Sequence, residues 1–163
     1  MNKINLKNFY LNLVILLVVF VLDRTTKLYI LDLAEIDTGV DVYITPYLNL
    51  FLIWNKGIAF GLFSIDANII YNSITVLIGL IIITILFMML KSNNIQGYFF
   101  ALIVGGALGY LYDRLVYTAV PDFIDLHFYG FHWFVFNVAD IFITIGVYCL
   151  ILVEFLFNNK KHK

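Results

Sequence analysis

Charge is what this 163-residue sequence has least of. Lysine, arginine, aspartate and glutamate make up 13% of it, against roughly 25% in an ordinary globular domain. Ten basic residues face eleven acidic ones, for a net charge of −1. That balance and the lack of a basic run give no reason to expect nucleic acid. The single cysteine, Cys149, lies inside the last apolar run. A disulfide framework and a thiol metal site are therefore excluded, and Cys149 reads as a small buried apolar residue. Several catalytic signatures are missing as well. There is no His-Glu-x-x-His zinc helix. There is no Gly-x-Ser-x-Gly elbow, which leaves Ser64 a weak serine candidate. Gly105-Gly106 falls within an apolar run rather than in a phosphate-binding loop.

Apolar residues are abundant, at 63%, and the mean hydropathy is +0.95. The chain reads as one integral membrane domain, mainly α, with four transmembrane helices predicted at about 9–33, 69–90, 95–112 and 138–157. The cleanest, Ile69 to Leu90, has 22 residues and no charge. At about 1.5 Å per residue it spans about 33 Å, enough for a hydrocarbon core of about 30 Å. The first apolar run follows Lys3 and Lys7 but has no small-x-small cleavage site after it, so a retained span is expected rather than a signal peptide. No lipid-attachment cysteine follows it either.

Between spans one and two, at about 38–64, β-branched and aromatic residues alternate with polar ones around Pro46, Gly57 and Gly61. Short strands are expected there, forming a sheet that rests on the membrane surface, with Asn55-Lys56-Gly57 as the turn. Residues 115–136 read as an outer, aromatic loop. Gly97, Ala101, Gly105 and Gly109 recur every four residues, a smooth stripe that lets another helix approach closely. Lys3, Lys7, Lys91, Lys160, Lys161 and Lys163 fall on one side of the four spans, and Arg24, Lys27, Lys56 and Arg114 on the other. The excess of basic residues puts both termini in the cytoplasm.

Acidic residues gather at the opposite, outer edge. Charges at the border of a bilayer core are costly unless paired or used. Asp23 and Lys27, four apart, share a helix face and read either as an interfacial pair or as support for a site. Asp140 stands near the start of span four, three residues after Asn137, where it could act as a helix-capping acid. Asp122 follows Pro121 and could be a solvated loop acid. If Asp122 and Asp140 meet at this low-dielectric boundary, one keeps a proton while the other ionises, a pair able to hydrolyse a carbonyl compound without a metal. His127 and His132, five apart in the aromatic loop, are expected to make structural or interfacial contacts; neither a metal nor a cofactor is expected. A proton or ion relay is the alternative, but it needs acids deep in the spans, where only Glu154 could lie.

Five segments carry a resemblance: VLDRTTK at 21–27, WNKGIAFGLFS at 54–64, GGALGYLYDR at 105–114, VPDFID at 120–125 and FNVAD at 136–140. In order and spacing they resemble the motifs of lipoprotein signal peptidase, or signal peptidase II. The resemblance implies an aspartyl endopeptidase of the bacterial cytoplasmic membrane. It would cut prolipoproteins before the lipid-modified cysteine, as a monomer in contact with lipid, with its active site on the extracytoplasmic side. It implies Asp122 and Asp140 as catalytic residues, with Asp23, Asn55, Gly57, Asp113, Arg114 and Asn137 supporting them or touching substrate. Two positions depart from the family pattern. Tyr110 stands where an asparagine is usual, and Ile58 where a small residue is usual. Tyr110 leaves open a relative that binds signal helices without cutting them.

Overall fold

The computed structural model describes residues 5–36, 39–56, 67–92 and 94–158. Its elements in chain order are α1 (Leu6–Ile36), β1 (Asp41–Thr45), β2 (Leu48–Asn55), α2 (Ala67–Lys91), α3 (Gln96–Val116), β3 (Val120–Phe128), β4 (Phe131–His132) and α4 (Val138–Asn158). All four helices are long and apolar enough to cross a membrane. Leucine, isoleucine and phenylalanine side chains stay exposed around them, among them Leu17, Ile83, Phe87 and Ile151. Such a belt is costly in water and favourable in lipid.

Helix α3 packs against each of the other three. Its small residues explain how. A Cβ on Gly105 would stand 2.7 Å from the Leu16 carbonyl oxygen and 2.8 Å from Val19 Cβ on α1. One on Gly97 would meet Asn12, and one on Gly109 would run into the Asp23 carboxylate. The four-residue stripe is therefore the seam with α1. Gly106 turns instead to α4, close to Ala139 and Ile143. Gly105→Ala is expected to lower stability by about 1–3 kcal/mol through overpacking, read as a lower unfolding midpoint in detergent. Gly79→Ala, with nothing near its Cβ position, is the neutral control. Equal midpoints for the two variants would mean that α1 and α3 do not approach this closely.

The strands form one antiparallel sheet in the order β1-β2-β3-β4. It caps the end of the bundle where α1 and α3 finish and α2 and α4 begin. Phe123 on β3 packs with Ile30 of α1 and Val40 to hold it there.

Two expectations need correction. Residues 115–136 are not simply a loop, because they supply the last turn of α3 and strands β3 and β4. Pro121 at the start of β3 and acids mixed into both of its faces hide the alternation that marks a strand. The turn between β1 and β2 lies at Pro46-Tyr47; Asn55 ends β2, and the turn expected at Asn55-Lys56-Gly57 runs beyond the described residues. Gly57, Ile58 and Ser64 lie outside the described residues. Finally, α3 continues past Tyr112 to Val116, because Asp113 and Arg114 are both partnered within the bundle and so need not end the helix.

Candidate active site

Pairing of the backbone brings the two aspartates together. The Phe123 and Ile124 amides donate to the Phe136 carbonyl (3.0 and 2.7 Å), and Phe136 N–H donates back to the Ile124 carbonyl (3.1 Å). The chain just ahead of the α4 cap is thereby tied alongside β3, so Asn137 falls next to Asp122. The Asn137 side-chain amide donates to Asp122 Oδ1 at 2.5 Å. Asn137 is also the cap of α4. Its backbone N–H donates to Asp140 Oδ2 (2.9 Å), and its Oδ1 accepts the Asp140 N–H (3.3 Å). This is a reciprocal capping box. Capping and pairing are thus the same arrangement, with one asparagine touching both carboxylates.

Each acid has a further donor. Asn55 Nδ2 donates to Asp122 Oδ2 at 3.0 Å, from the end of β2. The Tyr110 hydroxyl donates to Asp140 Oδ1 at 2.6 Å, from α3. Asp122 is buried, and burial pushes its carboxyl up to about 6. The Asn55 and Asn137 amides pull it back, the Asp140 charge raises it and Lys27 lowers it. Each carboxylate has about four lone-pair directions, so two hydrogen bonds leave room for a water.

Beneath the acids lies a buried charge cluster. Lys27 Nζ reaches Asp23 at 2.8 Å and Asp113 at 2.6 Å, and an Arg24 Nη reaches Asp113 at 2.6 Å and Asp23 at 3.2 Å. Two cations offset two anions. Asp23 also accepts the Ala139 N–H at 3.2 Å, which fixes the first turn of α4 on which Asp140 rides. Asp23 and Asp113 are thereby joined to each other through Lys27, and Asp23 to the start of α4. Arg114 stands apart. Its guanidinium binds Thr75 Oγ1 (2.9 Å) and the Tyr71 carbonyl (3.0 Å) and lies over the Tyr71 ring, locking α2 to α3. Sequence reasoning treated Tyr110 only as a departure. The available signal was its place three and four residues before Asp113 and Arg114, on the same helical face.

A cavity of about 710 Å³ opens beside Asp140, walled by Phe131, Trp133, Phe134, Phe136, Ile141 and Ile145 among others. A second cavity, at the far end near Lys91 and Glu154, holds no paired acids. The buried acids of α1 and α3 are matched by Lys27 and Arg24, and a relay is not favoured.

Four membrane-length helices, with one carboxylate from a small sheet and one from the start of α4 joined through Asn137 at one end, are the build of a multi-span membrane enzyme of the aspartic hydrolase class. The chain belongs to the signal peptidase (SPase) II family, whose profile matches residues 15–157. It is 84% identical over 161 residues to a lipoprotein signal peptidase of Pelagibacter ubique, covering 99% of this chain and 97% of that one. It is 43% identical over 152 residues to a lipoprotein signal peptidase of Aquifex aeolicus, covering 91% and 88%. A bacterial membrane enzyme whose structure was determined by the in meso method shares the fold, with a TM-score of 0.69 and 29% identity over 93% of this chain and 91% of that one.

Proposed function

We propose that Asp122 and Asp140 are the catalytic pair with which this peptidase removes the signal peptide from prolipoproteins, cutting before the diacylglyceryl-modified cysteine. The observation that carries this reading is Asn137, which hydrogen-bonds both carboxylates at once. Asp140 takes a proton from the attacking water while Asp122 gives its proton to the scissile carbonyl oxygen. The tetrahedral diol then collapses. Asp140 passes its proton to the leaving nitrogen, and a diol hydroxyl returns one to Asp122. A seated peptide excludes water and favours the protonated Asp122 still further.

The apolar cavity beside Asp140 suits the lipid-modified and apolar parts of the substrate, entering from the bilayer. The excess of lysine at the termini and the 91–96 hinge supports cytoplasmic termini and an extracytoplasmic site. Each chain carries its own pair, so a monomer suffices. The test is incubation of the purified protein with a diacylglyceryl-modified prolipoprotein and mass measurement of the products. The expected result is one cut immediately before the modified cysteine. An uncut precursor, or a cut elsewhere, contradicts the reading.

Tyr110 supports activity in this reading rather than abolishing it. Its hydrogen bond to a charged acceptor stabilises the fold by about 1.5–3 kcal/mol, so Tyr110→Phe should lower the unfolding midpoint and, with Asp140 less firmly placed, lower kcat by about 10-fold or more. A wild-type rate in that variant would make the phenol a bystander.

A further inference from the structure

The β3–β4 hairpin turns through Tyr129 and Gly130, both with positive φ (48° and 81°). This is the primed two-residue turn that matches strand twist, and glycine takes the second position at no steric cost. The turn fixes the register, setting His127 directly opposite His132. Asp125, two residues before His127 on the same strand, shares its face. Three side chains of metal-ligating type therefore converge, although the sequence suggested only loop contacts for the histidines.

His132 Nδ1 stands 2.8 Å from Asp125 Oδ2, and His127 Nδ1 stands 3.7 Å from the same oxygen. The two rings are stacked with centroids 5.1 Å apart. A ligand atom from each of the three residues lies within 4.8 Å of the other two. Asp125 is buried and the His127 side chain only 14% exposed, while that of His132 is 56% exposed. His127 Nδ1 is buried and has no hydrogen-bond partner. His132 Nδ1 sits against both Asp125 oxygens (3.1 and 2.8 Å) while His127 Nδ1 stays beyond hydrogen-bond distance of them, which leaves a desolvated lone pair or N–H without a use. Among the described residues, no hydrogen bond joins these three to Asp122 or Asp140, so the catalytic chemistry does not account for them.

We propose that Asp125, His127 and His132 form a binding site for a divalent transition-metal ion of the zinc type, separate from the aspartate pair. Two imidazole nitrogens and one carboxylate oxygen are a zinc-like donor set, and a poor one for calcium or magnesium, which take oxygen. Zinc–nitrogen and zinc–oxygen bonds are about 2.0–2.2 Å. Ligand atoms on one ion therefore stand within about 4.4 Å of each other, and rotation of the exposed His132 closes the remaining gap. The ion would staple β4 to β3, which otherwise pair at only two positions. Because His127, Phe131 and Trp133 line the cavity beside Asp140, metal occupancy would stiffen one wall of that cavity.

The test is calorimetric titration of the full-length, chelator-stripped protein in detergent with zinc chloride, alongside His132→Ala and His132→Cys. Because His132 is exposed, both variants should fold, and their metal-free unfolding midpoints check this. The expected result is one zinc ion per chain in the wild type. His132→Ala should bind on the order of tenfold more weakly or worse, while His132→Cys, which restores a zinc ligand, keeps the site. Magnesium and calcium should give no saturable binding. No saturable zinc binding by the wild type would overturn the proposal. So would equal affinity in His132→Ala, or His132→Cys binding no better than His132→Ala.

Discussion

Asp122→Asn and Asp140→Asn are each expected to lower kcat by about a thousandfold or more while the protein remains folded. General acid–base catalysis by a positioned side chain is worth about 10²–10⁴, and here each carboxyl serves in both proton-transfer steps. Because the two act as a unit, the double variant should be scarcely worse than either single one. Asparagine keeps the shape; at position 122 its oxygen can accept from Asn137 while the Asn55 amide must turn over to accept from its NH2, so the unfolding midpoint should fall only modestly. Asp32→Asn, an exposed acid on α1, should retain the wild-type rate. The check is the rate of cleavage of a lipid-modified precursor at saturating substrate. A loss confined to KM would mean that these acids bind substrate rather than transform it.

Lys27→Met is expected to be the most damaging change away from the pair. The Lys27 side chain is fully buried between Asp23 and Asp113. Removing it leaves two buried carboxylates and a single cation, Arg24. Breaking a buried ion network from one side costs about 3–5 kcal/mol, because the remaining charge is desolvated without compensation. The double variant Lys27→Met with Asp113→Asn restores the balance of charge and should recover part of that loss, since the two sites are in contact and their effects are not additive. The readout is the unfolding midpoint in detergent. Wild-type stability in Lys27→Met would show that the cluster is dispensable. Activity should fall along with stability, because Asp23 also holds the Ala139 amide at the start of the helix that carries Asp140.

Some of this was legible in the sequence for simple reasons. Long uncharged runs can only be helices in lipid, so the four spans were plain from composition. The residues Gly97, Ala101, Gly105 and Gly109 announced a helix seam, and the structure shows which helix fills it. Strands were harder to read. In β3, Asp122, Ile124 and Leu126 share one face, and Phe123, Asp125 and His127 the other, so neither face is uniformly apolar and the period of two is masked. The Tyr129-Gly130 turn was the readable clue to that hairpin. Asn55 looked like a turn residue because its neighbours Lys56 and Gly57 favour one. Its contact with Asp122 depends on the pairing of β2 with β3, a long-range fact that no local pattern encodes. The same holds for Arg114, whose partners Tyr71 and Thr75 come from another helix altogether.

Carboxyl titration by infrared difference spectroscopy, comparing wild type, Asp122→Asn and Asp140→Asn, tests most directly whether the two acids act as one. Asp122 carries a folded-state value of about 6 against an ordinary 3.8. Its contribution to stability is therefore fully present below about pH 4 and is lost as pH rises through about 6. The account predicts a protonated-carboxyl band that disappears with a midpoint near pH 6 in the wild type and is missing in Asp122→Asn. In Asp140→Asn the midpoint should move lower, because the neighbouring charge that helps hold the proton is gone. A band with an ordinary carboxyl midpoint, unmoved by Asp140→Asn, would show two independent acids and would contradict the shared site.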